Sequence, residues 1–458
     1  MAGDAGAVKP HRIDRVESLD LQGRGVVRSD GKIAFVEGAL PGETIRWVPV
    51  RGGRNFDVGR LLQVKRECSL RVQPRCPHFG LQRGACGGCS MQHLDARAQV
   101  AIKQRALEDA LWHLARLKPQ QIARPIAGLE WGYRHRARLS VRFVARRNEV
   151  LVGFHERASS FVADIRECHV LAGSVGSLLM PLRTLIGSMQ LRQRLPQIEV
   201  AVVKSAQQVR TVLVFRILDE LAEPDRDALA RFGAAHRVSI WVQPGGPATA
   251  APLTGADEAE LALQLPEFGL RVPFGPTDFT QVNHSVNEVL VRRALAQLDP
   301  QPAETALDLF CGLGNFTLPL ATRVRRTMGI EGNSAQVARA ARAAQANGLQ
   351  GRVDFIAQDL ADWNRGDWEA LNQRHGPIDR VLLDPPREGA LAVARALAGS
   401  AVRPRRLVYI SCNPGTLARD CAVLAHEGGW RLACAGVVNM FAHTSHVESM
   451  AVLEPAQS

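Results

Sequence analysis

The second half of the chain alternates short apolar runs with helical segments, and this alternation limits the possible folds more than any other feature. Five such runs lie between residues 306 and 412, each followed by a turn or a helical segment. Because strands that are apolar throughout are buried on both faces, the pattern predicts a parallel, doubly wound sheet. The last two runs, 429–441 and 446–454, have no helix between them and predict an antiparallel hairpin at the sheet edge. Such an ending is typical of a Rossmann-like methyltransferase domain rather than of a dehydrogenase.

Glycine and acidic residues follow the carboxyl ends of the first three strands, where parallel sheets bind ligands. The first strand leads into the segment DLFCGLGNF (308–316), whose glycines allow close backbone approach to a cofactor. The second ends in Glu331, which is placed to accept hydrogen bonds from ribose hydroxyls. The third ends near Asp359, a position suited to an adenine ring. Neither a dinucleotide-type glycine pattern nor a Walker lysine is present, so S-adenosylmethionine is favoured over NAD or FAD.

The fourth and fifth strands end in residues suited to act on a base. Asp384 begins the segment DPPR, a rigid edge that could grip a flat ring, and Cys412 lies in the segment SCNP. A cysteine here is either an inert core thiol or a nucleophile, and the neighbouring DPPR segment favours the nucleophile. A thiolate that adds to carbon 6 of uracil makes carbon 5 reactive toward a methyl donor, and a base must then remove the carbon-5 proton. Glu448 is the candidate base; its alternative interpretation is an exposed strand glutamate.

Three cysteines form a second pattern that indicates chemistry. Cys76, Cys86 and Cys89 have the spacing C-x9-C-x2-C, and the intervening glycines allow the loop to wrap closely. Three thiolates with a distant fourth are typical of an iron–sulfur cluster, and zinc is the alternative. The candidates for the fourth ligand are Cys68 and Cys168.

The positive charge of the chain is concentrated near its start. Residues 1–150 contain 27 Lys and Arg against 14 Asp and Glu, whereas the remainder contains 30 against 31. Short strands with turn residues between them over residues 13–66 predict a small β-barrel. The charge indicates a polyanionic partner, with an arginine-rich, merely soluble surface as the alternative. Four candidate phosphate contacts follow the cysteine loop: Arg134, His135, Arg136 and Arg138.

Two absences bear on where such a chain would act. The sequence contains no apolar run of membrane-spanning length, and its start lacks the pattern of a secretory signal peptide. We therefore expect a cytoplasmic protein with no membrane partner. Nothing in the sequence demands more than a monomer.

The segments DPPR and SCNP, together with the cysteine loop, resemble the RNA uracil-5 methyltransferase family over nearly the whole chain. The resemblance implies three domains: a TRAM-like (OB-like) RNA-binding β-barrel at 1–67, a central α+β iron–sulfur domain at 68–270, and a class I methyltransferase domain at 271–458. Because both a barrel and a cysteine loop are present, it points to the members that act on 23S ribosomal RNA. A family member acting on transfer RNA and a non-catalytic iron–sulfur RNA-binding protein are the alternatives.

The resemblance also implies roles for individual residues. Cys412 would be the nucleophile and Glu448 the base. S-adenosylmethionine would be bound by a set of strand-end and loop residues: Gln281, Phe310, Asn315, Glu331, Asp359 and Asp384. A [4Fe–4S] cluster would be bound by four cysteines: Cys76, Cys86, Cys89 and Cys168. In one respect the chain departs from the family, because the gap between the first two cysteines is longer than usual by about four residues, an insertion that a loop tolerates.

Overall fold

The N-terminal region folds into a six-stranded sheet. In the computed structural model, which describes residues 11–204, 209–255 and 261–456, this sheet has the order β1-β5-β6-β4-β3-β2. Its strands are β1 (Arg12–Arg15), β2 (Ser18–Leu19), β3 (Gly25–Ser29), β4 (Lys32–Glu37), β5 (Thr44–Gly52) and β6 (Phe56–Arg66). The sheet encloses a small core around Trp47, whose ring is fully buried. The first ten residues of the predicted barrel lie outside the described residues.

The cysteine-rich segment between residues 67 and 95 is almost entirely irregular and leads into a long helix. Helix α1 (Ala96–Ala115) begins at Asp95, whose carboxylate accepts hydrogen bonds from the backbone N–H groups of Arg97 and Ala98. The short strand β7 (Gln121–Ile122) follows. Leu107 and Leu111 of α1 lie in the same apolar core as the C-terminal sheet. The first part of the predicted central domain therefore packs against the third, and the domain division stays a prediction.

A second six-stranded sheet forms the middle of the chain, with the order β13-β12-β11-β10-β8-β9. Its strands are β8 (Arg136–Val144), β9 (Glu149–Gly153), β10 (Gln197–Lys204), β11 (Val209–Arg216), β12 (Ser239–Gln243) and β13 (Ala251–Pro252). The helices of this region are α2 (Gly173–Gly176), α3 (Leu179–Ser188) and α4 (Glu223–His236). A separate antiparallel hairpin, β14 (Leu261–Leu265) and β15 (Leu270–Phe274), precedes the C-terminal sheet.

The C-terminal sheet has eight strands in the order β18-β17-β16-β19-β20-β22-β21-β7. Its strands are β16 (Thr305–Leu309), β17 (Arg326–Glu331), β18 (Val353–Ala357), β19 (Arg380–Leu383), β20 (Arg406–Ser411), β21 (Trp430–Val438), β22 (Glu448–Pro455) and β7. The helices around it are α5 (His284–Leu298), α6 (Thr317–Ala321), α7 (Ser334–Ala346), α8 (Arg365–His375), α9 (Leu391–Ala398) and α10 (Pro414–Ala422). Strands β16 to β20 pair in parallel, which confirms the doubly wound prediction.

One detail of the C-terminal sheet differs from the sequence prediction. Strands β21 and β22 pair as an antiparallel hairpin, as predicted, but they do not form the sheet edge because β7 pairs with β21. A two-residue strand has too little pattern to be found in a sequence. Among the described helices, none is both long and apolar enough to span a membrane.

Candidate active site

A cavity of about 570 Å³ lies at the carboxyl edge of the C-terminal sheet. Parallel sheets bind ligands at this edge, next to the strand from which the sheet is extended in both directions. That strand is β16, with β17 on one side and β19 on the other. Seven of the eight predicted catalytic and donor-binding residues line the cavity: Gln281, Phe310, Asn315, Glu331, Asp384, Cys412 and Glu448. The eighth, Asp359, is exposed after β18, where its carboxylate accepts a hydrogen bond from the Ala361 N–H and does not line this cavity.

The turn after β16 is shaped by residues in the left-handed region. Phe310 has a φ of 66°, and Gly312 and Gly314 have φ values of 54° and 89°. This conformation turns the Gly312 N–H toward Glu331, whose Oε2 accepts a hydrogen bond at 3.2 Å. The other oxygen of Glu331 accepts from the Asn333 N–H at 2.9 Å. The carboxylate is thus held in place by backbone groups and keeps acceptor capacity for a ligand.

Asn315 has a partner that the sequence did not indicate. Its side-chain amide exchanges two hydrogen bonds with that of Asn287 on α5, at 2.8 and 3.0 Å. Asn287 lies on the buried face of α5, whose other buried residues are apolar. A polar residue at an otherwise apolar position of the helical pattern is the sequence signal that could have marked it. The pair therefore fixes the Asn315 side chain at the cavity wall.

The loop that carries Gln281 is held by a half-buried arginine. Arg136 donates hydrogen bonds to the carbonyl oxygens of Pro276 and Asp278, and Arg339 forms an ion pair with the Asp278 carboxylate at 2.8 Å. Both terminal nitrogens of the Arg136 guanidinium thus donate to this loop. This arrangement indicates a structural role for Arg136, and its contact with RNA phosphate stays a prediction. Arg138, in contrast, is largely exposed and pairs with Glu199 at 3.0 Å.

The proposed nucleophile lies between a core strand and a helix N-terminus. Cys412 directly follows β20 and is half-buried. Asn413 caps helix α10 by accepting a hydrogen bond from the Gly415 N–H at 3.0 Å. Burial, followed by the nearby Glu448 carboxylate, raises the pKa of Cys412 to about 11. The thiol is therefore protonated at neutral pH and must lose its proton when it attacks.

The two carboxyl groups that line the cavity with Cys412, those of Asp384 and Glu448, both have raised pKa values. Glu448, the first residue of β22, is 4 % exposed, which rules out the exposed strand glutamate that the sequence allowed. Burial and then the Asp384 charge raise the pKa of Glu448 to about 8. Burial alone raises the pKa of Asp384 to about 7. At neutral pH the pair holds at least one proton, so a proton donor or acceptor is available beside the thiol.

A second cavity, of about 180 Å³, brings together the four predicted cluster cysteines: Cys76, Cys86, Cys89 and Cys168. Backbone N–H groups point at the sulfurs; the Gly88 N–H, for example, donates to Cys86 Sγ at 3.4 Å. Cys68 packs elsewhere, against a small apolar cluster that contains Leu40 and Met91. Within the described residues, no group of three or more His, Cys, Asp or Glu side chains meets the geometry of a single metal ion.

A family model and individual relatives both indicate that this chain is similar to RNA uracil methyltransferases. The sequence model of the family described as tRNA (Uracil-5-)-methyltransferase matches residues 96–456. A Cupriavidus necator protein named 23S rRNA (uracil(1939)-C(5))-methyltransferase RlmD is 55% identical over 450 residues, covering 96% of this chain and 99% of the relative. The protein of the same name from Ralstonia nicotianae is 53% identical, covering 96% of this chain and 98% of the relative.

One solved structure shares the fold over almost the full length. It is the Pyrococcus abyssi tRNA (uracil-54, C5)-methyltransferase in complex with S-adenosyl-L-homocysteine. Its TM-score is 0.69 at 21% identity, covering 96% of this chain and 100% of that one. At this identity the similarity establishes the fold alone.

Proposed function

The chain belongs to the tRNA (uracil-5-)-methyltransferase family, and from this membership we propose that it transfers a methyl group from S-adenosylmethionine to carbon 5 of a uracil in 23S ribosomal RNA. The relatives that share more than half of its residues are named for that reaction, at uracil 1939. The single observation that carries the proposal is the composition of the larger cavity. It joins Glu331, suited to a ribose, with Cys412 and Glu448, suited to a uracil.

We propose Cys412 as the nucleophile. Its thiolate adds to carbon 6 of the uracil, and the electron pair of the 5,6 double bond then resides on carbon 5 and the carbonyl at carbon 4. Bound S-adenosylmethionine would supply the methyl group for carbon 5 by cleavage of its sulfur–methyl bond, with S-adenosylhomocysteine as the leaving group. Because the thiol is protonated at neutral pH, the attack requires an acceptor for its proton. We assign this step to the Asp384 carboxylate in the same cavity, which leaves the Glu448 carboxylate free for the later proton removal.

Glu448 completes the reaction as the base. After methyl transfer, carbon 5 carries both the methyl group and its original proton, so the ring cannot regain its double bond until that proton leaves. The Glu448 carboxylate removes it, the electron pair re-forms the 5,6 double bond, and the Cys412 sulfur departs as thiolate. Desolvation makes the carboxylate a stronger base than an exposed glutamate, as its raised pKa indicates.

The four cysteines of the smaller cavity are suited to a [4Fe–4S] cluster. In such a cluster each thiolate binds a different iron, so the sulfurs stand farther apart than the ligands of one ion. Burial raises the pKa values of Cys86 and Cys89, to about 11 and about 12, so thiolates there need a positive partner. We propose Cys76, Cys86, Cys89 and Cys168 as its ligands. The methyl transfer consumes no electrons, so the group would serve structure or RNA binding.

Incubation of the purified protein with methyl-labelled S-adenosylmethionine and either 23S ribosomal RNA or transfer RNA tests the substrate. We expect label in the ribosomal RNA, at the position that corresponds to uracil 1939. Label in transfer RNA alone would contradict the proposed substrate and leave the chemistry in place. Label in neither RNA, with the cysteine cavity loaded with iron and sulfide, would favour a non-catalytic RNA-binding protein.

A further inference from the structure

The loop between β21 and β22, residues 439–447 (the hairpin loop), separates the two cavities. On one side, Phe441 and His446 line the larger cavity, and Glu448 follows directly in β22. On the other side, Ala442 belongs to a small apolar cluster against which Cys89 and Cys168 of the smaller cavity pack. A shift of this loop would therefore change the position of Glu448 relative to Cys412.

Three buried side chains from outside the C-terminal sheet bind the hairpin loop. Lys103 Nζ donates hydrogen bonds to Asn439 Oδ1 and to the Phe441 carbonyl oxygen, both at 2.8 Å. Gln99, one helical turn earlier on α1, accepts a hydrogen bond from the His443 N–H at 2.8 Å. The Tyr133 hydroxyl donates to the Ala442 carbonyl oxygen at 2.9 Å.

The cysteine-rich segment between residues 67 and 95 (the cysteine loop) adds further hydrogen bonds to the hairpin loop. The N–H groups of Ser90 and Met91 both donate to the His443 carbonyl oxygen, at 2.9 and 3.0 Å. The Ser445 N–H donates to Ser90 Oγ at 2.9 Å. The Gln99 side-chain amide also donates to the carbonyl oxygens of Met91 and Leu94, so it joins the cysteine loop to the hairpin loop.

The backbone conformation of His443 indicates that these contacts hold the hairpin loop in place, because the residue would not adopt that conformation readily by itself. Its φ is 62°, a left-handed conformation that a side chain other than glycine rarely adopts. Such a conformation persists only where the surroundings enforce it. The imidazole is buried and stacks on the Trp131 ring with 3.9 Å between centroids. Removal of the surrounding hydrogen bonds should therefore release the loop.

Lys103 is the least expected of these side chains. It is 2 % exposed, and its two hydrogen-bond acceptors both belong to the hairpin loop. Burying an ammonium group is costly, and an apolar side chain of similar volume would pack as well or better. The cost is understandable if the lysine fixes the geometry of the segment it binds.

We propose that Gln99, Lys103 and Tyr133 are positioning residues that fix the hairpin loop so that Glu448 reaches the carbon-5 proton of the covalent intermediate. This inference rests on the proposed function, in which Glu448 is the base. None of the three residues lines the larger cavity. Their loss should slow proton removal while leaving donor binding and thiol addition in place.

The test compares Lys103→Met and Tyr133→Phe with Arg105→Met as the matched control. Arg105 lies on the exposed face of the same helix, paired with Asp109. With 23S ribosomal RNA, we expect Lys103→Met to lower kcat by about tenfold to hundredfold, the size typical of a displaced catalytic group, with little change in KM. The covalent RNA adduct should accumulate, because its release is the slowed step. Tyr133→Phe, which removes one oxygen and keeps the ring, should show a smaller loss of the same kind.

Hydrogen exchange provides a readout that does not depend on activity. We expect faster amide exchange over residues 439–447 in Lys103→Met and Tyr133→Phe, with donor affinity equal to that of the wild type and of Arg105→Met. Wild-type kcat and wild-type exchange in both variants would overturn the inference and leave the proposed function standing. Loss of adduct formation, as expected for removal of the nucleophile, would also overturn it. A wild-type protein that neither methylates RNA nor forms an adduct would overturn the proposed function, and this inference with it.

Discussion

Cys412 and Cys311 are the two thiols near the larger cavity, and their surroundings distinguish them. Both line that cavity, but Cys311 is 5 % exposed and its Sγ faces the interior close to Gly329. Burial and the nearby Asp308 raise the pKa of Cys311 well above that of an ordinary thiol. Cys412 is half-buried, with the Arg387 charge acting against the rise in its pKa. The geometry therefore favours Cys412 as the reactive thiol.

Replacing Cys412 by alanine should abolish both turnover and the covalent adduct that forms with RNA containing 5-fluorouracil. The fluorine cannot leave as a proton would, so the adduct of an intact nucleophile persists and can be resolved on a denaturing gel. Cys311→Ala, the matched control, should retain both activities to a large extent. An adduct that persists in Cys412→Ala would assign the nucleophile to another residue.

The raised pKa of Glu448 predicts how the rate depends on pH. Proton removal needs the carboxylate, which is the minor form below a pKa of about 8. The kcat should therefore rise about tenfold per pH unit toward pH 8 and then level off, because each unit below the pKa reduces the ionised fraction tenfold. Glu448→Gln should lose this rise and accumulate adduct. A rate that is flat between pH 6 and 8 would contradict the role of Glu448.

The same shift has a consequence for stability. The folded pKa of Glu448 lies above its ordinary value of 4.5, so its contribution is fully present below pH 4.5 and is lost as pH rises through about 8. Within that window this contribution to the free energy of unfolding falls by about 1.4 kcal/mol per pH unit. Glu448→Gln has no such group. The Tm of Glu448→Gln should therefore increase relative to that of the wild type as pH rises from 5 to 8. A difference in Tm that does not change with pH would contradict the raised pKa.

At the scale of elements, the larger cavity is built by segments that belong to different parts of the chain. The donor half comes from β16 and β17, while the loop with Gln281 is held by Arg136 at the start of β8. The hairpin loop is held from α1 and from the cysteine loop. Regions distant in the sequence thus fix the loops, and the parallel strands fix the positions where the loops begin.

Arg136→Met should weaken donor binding by about tenfold while leaving RNA affinity unchanged. The substitution removes two hydrogen bonds to the backbone at Pro276 and Asp278, so the loop with Gln281 loses its fixed position. Calorimetric titration with S-adenosylhomocysteine measures the effect. Arg138→Met, with a largely exposed side chain, is the control and should bind the donor as the wild type does. Weaker RNA binding with normal donor binding would contradict this role and support Arg136 as a phosphate contact instead.

At the scale of the whole molecule, the excess positive charge is the property most directly linked to the RNA partner. The N-terminal sheet exposes several basic side chains along β5, β6 and the turn between them: Arg51, Arg54, Arg60, Lys65 and Arg66. Exposed charges of this kind attract phosphates and release counterions on binding. We propose that this sheet is the TRAM-like RNA platform of the molecule.

Replacing Arg51, Arg54 and Arg60 by glutamine should weaken binding to 23S ribosomal RNA and reduce its dependence on salt. Each lost phosphate contact lowers the slope of log K against log salt by about 0.7 to 0.9. Filter binding at several salt concentrations measures both quantities, and donor affinity serves as the control. An unchanged slope would show that these arginines face away from the RNA.

The alternation of strands and helices in the sequence was enough to predict the C-terminal fold and most of the residues that line the larger cavity. Continuous apolar strands, with Glu331, Asp384 and Cys412 at their carboxyl ends, predicted the parallel sheet and the edge where the residues meet. This worked because strand direction in such a sheet is regular, so the end of each strand is a known place. The spacing likewise indicated Cys76, Cys86 and Cys89, and the family resemblance implied Cys168 as the fourth; one cavity brings the four together.

The surroundings of these residues, in contrast, follow from the tertiary contacts and not from the sequence pattern. Burial of Glu448, the Asn287 partner of Asn315 and the consumption of Arg136 by a loop all depend on contacts across more than 25 residues. The same holds for Lys103, which reads as an ordinary surface residue of an amphipathic helix and instead binds a loop more than 300 residues away. The periodicity of apolar residues in the sequence indicates which face of a helix or strand is apolar. It does not report which distant segment that face meets, and that contact sets burial, pKa and position.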